Sequence, residues 1–81
     1  MRLIHIRARS DEDVECLMRE LAVYTPKRSR RVVLIEIEER SQSDLLALLG
    51  AVDRCLSAND IRSVRIEIDG SVYMMVPPTP D

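Results

Sequence analysis

Three short stretches of this chain alternate aliphatic with polar or charged side chains at a period of two. In residues 2–8, Ile4, Ile6 and Ala8 are set against Leu3, His5 and Arg7. In 31–38, Val33, Ile35 and Ile37 are set against Glu36 and Glu38; in 62–68, Val64, Ile66 and Ile68 against Arg65 and Glu67. A strand turns successive side chains to opposite faces, so each stretch reads as a β-strand with one buried and one solvated side. A doubly wound sheet would need strands apolar on both faces. The pattern therefore predicts a sheet covered by helices on a single face.

The intervening segments carry helical periodicity. Ser10 followed by Asp11, Glu12 and Asp13 reads as an N-cap with an acidic first turn, and Val14, Leu17, Met18 and Leu21 form one stripe. The helix is expected to stop before Thr25-Pro26, because proline disfavours helical dihedrals in the residue ahead of it. Ser41 or Ser43 caps a second helix with the stripe Leu45, Leu48, Leu49, Val52 and Leu56, ending near Asn59, which tolerates a left-handed C′ position. Asp69-Gly70 marks a tight hairpin after the third strand. The last strand, Val72 to Val76, is apolar at every position, and residues 77–81, with three prolines, are expected to form a disordered tail.

The expected fold is of the α/β (α+β) class: a single-domain two-layer sandwich in the order β-α-β-α-β-β. Its mixed four-stranded sheet, in the order 1-2-4-3, has its first two strands parallel and both helices on one face. The hairpin decides which side of the last strand is buried. A two-residue turn pairs Ile66 with Tyr73 and puts Tyr73 and Met75 on the helix side; a three-residue loop puts Val72, Met74 and Val76 there. The longer loop is expected, since it leaves the more amphipathic Tyr73 on the open face.

This element order resembles the fold shared by the C-terminal domain of bacterial translation initiation factor three, the Alba chromatin proteins and the small sulfur carriers. The sulfur carriers begin their first helix with a Cys-Pro-x-Pro motif, where this chain has Ser10-Asp11-Glu12. The carrier role is therefore excluded. The nucleic-acid binders of that fold are basic, whereas this chain has a net charge of −2.

That charge balance, with Tyr24 and Tyr73 as the only aromatics, makes nucleic acid an unlikely partner. Cys16 and Cys55 lie outside any metal-ligand spacing, and on this topology they project from the layer opposite His5, so neither a metal nor a cofactor is expected. Glycine occurs only at positions 50 and 70, which leaves no phosphate-cradling loop, and no nucleophile, base and orienting group fall into a recognisable pattern. The reading is a non-enzyme with no evident small-molecule substrate. No apolar run approaches the length of a signal core or a membrane span, so a cytoplasmic location with reduced thiols is expected.

A chain of 81 residues buries a marginal core and often leans on a partner. Leu3, Val32 and Leu34, joined by Tyr73 and Met75, are expected to form an apolar patch on the open sheet face. The function expected from this is a protein-interaction module that forms a homodimer, or docks another protein, through that face. On that geometry, Leu34→Glu should dissociate the dimer. The alternative is a small RNA-binding or ribosome-associated domain that uses the basic loop of Lys27, Arg28, Arg30 and Arg31.

Overall fold

The structure, a computed structural model, describes residues 2–38 and 42–77. Its elements are β1 (Arg2–Arg7), α1 (Asp11–Glu20), a 3-10 turn (Ala22–Tyr24), β2 (Lys27–Ser29), β3 (Val32–Ile37), α2 (Gln42–Ala58), β4 (Val64–Ile68) and β5 (Ser71–Met75). The α+β class and the single helix-covered sheet face stand. The sheet itself has five strands rather than four, all antiparallel, in the order β2-β3-β1-β4-β5.

The difference arises at residues 27–34. The expected basic loop is largely strand: Lys27–Ser29 pairs with Val32–Leu34 across a two-residue turn at Arg30-Arg31. Because this hairpin reverses the chain, β2 takes the outer position and β3 returns beside β1 antiparallel, with Ile4 opposite Ile35 and Arg7 opposite Val32. Each helical connection now steps over one strand. Strand direction and step direction both reverse between the first crossover and the second, which is a rotation within the sheet plane; a common handedness therefore keeps both helices on one face. The element order has thereby gained a strand over the one that resembled initiation factor three and its relatives.

Helix ends form largely where their side chains dictate. The Asp13 amide donates to Ser10 Oγ at 3.2 Å, closing the N-terminus of α1. Beyond the helix the backbone turns left-handed at Thr25, with φ at 53°, just before Pro26. Helix α2 starts at Gln42, which places Ser43 inside its first turn; Ser41, the other candidate cap, lies outside the described residues. At its far end the left-handed residue is Asp60 rather than Asn59, and the Ile61 amide donates back to the Leu56 carbonyl at 3.0 Å. That bond closes a Schellman turn, and both Ile61 and Leu56 are buried beneath it.

The core forms one cluster between the layers. β1 supplies Ile4 and Ile6, β3 supplies Val33, Ile35 and Ile37, and β4 supplies Val64 and Ile66; the helices add Val14, Leu17, Leu48, Val52, Cys55 and Leu56. Each strand contributes alternate residues, as the period-two pattern requires. Helix α1 covers β2 and β3. The helical layer gives out before β5, whose first four residues are exposed.

Candidate interaction surface

The five residues expected to make one patch are divided between the two faces of the sheet. Leu3 and Leu34 share the open face with Tyr24, Thr25, Lys27 and Glu36 around a shallow depression. Val32, two residues from Leu34 on the same face, stands opposite Arg7 and away from Leu3, because the antiparallel register sets Leu3 against Glu36 and Leu34 against His5. The same register sets the charges of the open face against one another. His5 Nδ1 lies 3.5 Å from Glu67 Oε2, while Arg7 stands directly opposite Arg65, a like-charge pair that opposes folding slightly.

Tyr73 and Met75 are on the other face. Ser71 closes directly onto Ile68, so the Asp69-Gly70 turn has two residues and Tyr73 pairs with Ile66. Positive φ at both turn residues, 51° and 82°, is the geometry of a type I′ hairpin turn. The expected three-residue loop, with Val72, Met74 and Val76 in the core, is thus corrected: Val72 and Met74 lie on the open face, opposite Glu67 and Arg65. A type I′ turn matches the right-handed twist of the strands, and Asp-Gly supplies both left-handed residues at low cost.

The basic stretch is drawn inward to its own protein. Arg28 Nη2 donates to Asp11 Oδ1 at 3.1 Å and its Nε to the Arg30 carbonyl at 2.9 Å; Arg31 Nε lies 3.6 Å from the same Asp11 oxygen. These contacts hold the β2–β3 turn against the start of α1. Lys27 and Arg30 are the two of the four with no such contact to Asp11.

On the helix side of the sheet, α2 and the β4–β5 hairpin enclose a groove of about 560 Å³. Leu45 and Leu49 form its helical wall, Ile66 and Ile68 its floor, and Tyr73 and Met75 its outer lip. At one end Arg2 Nε approaches Asp69 Oδ2 at 3.2 Å; the Nε hydrogen is not aimed at that oxygen, so the contact is one of charge rather than a hydrogen bond. Leu46, one residue along α2, is exposed.

β5 therefore carries apolar side chains on both faces, with Val72 57%, Tyr73 56% and Met74 60% exposed. Among the described residues, its backbone has an unpaired side as well. The closing pair of a two-residue hairpin exchanges both its hydrogen bonds, and the alternation continues along the strand, so Ser71, Tyr73 and Met75 bond to β4. The N–H and C=O groups of Val72 and Met74 point outward from the sheet. The opposite edge, β2, is only three residues long, carries Lys27 and Arg28, and follows Pro26. Short, charged and proline-flanked edges resist strand addition; a five-residue uncharged edge does not.

The other candidate groups lie apart. His5 is on the open face and Cys55 is in the core, where burial, reinforced by the charge of Glu20, pushes its thiol above its ordinary range. Cys16 is half-buried, and the Arg19 guanidinium bridges from its sulfur at 3.7 Å to Asn59 Oδ1 at 3.5 Å. Among the described residues, no three His, Cys, Asp or Glu side chains come together as a metal site, and no helix is long and apolar enough to cross a membrane. No protein family, curated protein or solved structure matches the chain.

Proposed function

We propose that this chain is a non-enzymatic protein-interaction module that associates through β5, accepting an extended strand along its outer edge. The observation that carries this reading is the contrast between the two sheet edges: one is blunted by length, charge and proline, and the other is apolar on both faces and, among the described residues, pairs with no strand on its outer side. Strand addition of this kind draws affinity from main-chain hydrogen bonds and selectivity from alternate side-chain pockets. Here the α2 groove receives side chains on one face, and Val72 and Met74 meet them on the other. The patch expected from the sequence lies at one end of the open face; its five residues are divided between the two faces, and β5 carries apolar side chains on both.

The nucleic-acid reading has less to draw on, since Arg28 and Arg31 already meet Asp11.

The test exploits proline, which removes an N–H and is tolerated in an edge strand only where that N–H faces outward. Amide shifts of isotopically labelled protein are followed during dilution, and during titration with a panel of extended peptides of alternating aliphatic residues. Dilution, or at least one peptide, should move the amides of Val72 and Met74, and Met74→Pro should abolish the response while leaving the circular dichroism unchanged. If neither perturbs those two amides, the reading fails.

A further inference from the structure

We infer that the strand β5 accepts is β5 of a second copy of this chain, antiparallel, with the two-fold axis passing beside Tyr73. The inference rests on the β5 reading above and names its partner. Val72 and Met74, whose backbone groups point outward, flank Tyr73 symmetrically. A two-fold axis at Tyr73 sets Val72 opposite Met74 of the second copy and Met74 opposite its Val72. Each of those pairs exchanges two main-chain bonds, so all the outward N–H and C=O groups of Val72 and Met74 are satisfied at once.

The side chains agree with this register on both faces. On the open face, Val72 and Met74 stack against their counterparts, aliphatic on aliphatic. On the helix side the two Tyr73 rings stand directly opposite in a non-hydrogen-bonded pair, the closer of the two kinds, where aromatic pairs stabilise a sheet. The two apolar grooves then face each other across the axis, with the tyrosines on their common floor.

Charge follows the same symmetry. Arg65 lies beside Met74 and Glu67 beside Val72. Each row crossing the new junction therefore runs Arg65, Met74, Val72 of the second copy, Glu67 of the second copy. Opposite charges bracket the apolar contact in both rows, and no like charges are brought together. Pairing β5 with the β2 edge of another copy would place Lys27 and Arg28 against apolar residues and, being heterologous, would propagate into a filament instead of closing.

The test uses the 81-residue chain with Cys16→Ser, which leaves buried Cys55 as its other thiol. This Cys16→Ser protein at about 100 µM should scatter light as two chains, and adding Met74→Pro should return it to one. Tyr73→Cys should form a disulfide-linked dimer on mild oxidation, since a non-hydrogen-bonded pair brings the two β-carbons within bonding reach; Leu34→Cys, on the open face, should not. A monomer that nonetheless takes an extended peptide at Val72 and Met74 overturns the second-copy inference and leaves the module reading standing. A dimer cross-linked through Leu34→Cys and not through Tyr73→Cys overturns both. A mass that grows without limit also contradicts the closed pair.

Discussion

Two single residues hold conformations or protonation states that the rest of the fold imposes on them. Thr25 is β-branched, precedes a proline and sits at φ 53°, a region such side chains rarely enter. Thr25→Asn, which suits that region, should raise the stability by about 1 kcal/mol, read as a higher urea midpoint; an unchanged midpoint would show that no strain is stored there. Cys55 gives a pH dependence. Its folded thiol is raised above 9.0, so the unfolded chain loses its proton first as the pH climbs, and this part of the stability is present below that value and drains away above it. The melting temperature should fall between about pH 8 and pH 10 more steeply in the native protein than in Cys55→Ala; equal slopes would place the thiol in contact with water.

The elements differ in how much of them the residues announce. Three alternating strands, two amphipathic helices, the Ser10 cap of the first and the Asp69-Gly70 turn are all legible from spacing and turn chemistry. The β2–β3 hairpin is not, because its turn is Arg30-Arg31 and lacks the glycine, asparagine or aspartate that usually marks a left-handed turn position. Arg28 substitutes for those signals by bonding the Arg30 carbonyl and Asp11, contacts that only the folded chain brings within reach. That one missed strand accounts for the expected parallel pairing; the expected order also puts the apolar last strand inside the sheet and residues 62–68 at its edge, where the structure has the reverse. In the second hairpin the turn is legible but its length is not, since an apolar residue at every position from Val72 to Val76 gives no alternation to fix the register. The turn can be tested directly. A β-carbon on Gly70 would meet nothing within 4 Å, so Gly70→Ala should cost only the strain of φ 82°, about 1 kcal/mol in chemical unfolding. A neutral result would mean that the turn relaxes to another type.

At the scale of the whole molecule, the same missing alternation is the functional signal. Most of the chain obeys a rule of one buried and one solvated face, and β5 breaks it, with its first four residues lying outside the helical layer. The expected interface joins Tyr73 and Met75 to Leu3, Val32 and Leu34 because a three-residue hairpin loop would put all five on the open face; the two-residue turn puts Tyr73 and Met75 on the other face, and the antiparallel register moves Val32 away from Leu3. Leu34→Glu should therefore leave the assembled mass unchanged, against the outcome a sheet-face dimer requires. The most direct measurement is amide hydrogen exchange along β5 in the native protein at about 200 µM. A free edge exchanges in alternation, with Tyr73 and Met75 protected by β4 and Val72 and Met74 open to water. The account predicts that the alternation is lost and that Val72 and Met74 are protected to a similar degree as their neighbours. Val72 and Met74 exchanging at the rate of an unstructured chain beside a protected Tyr73 would contradict it.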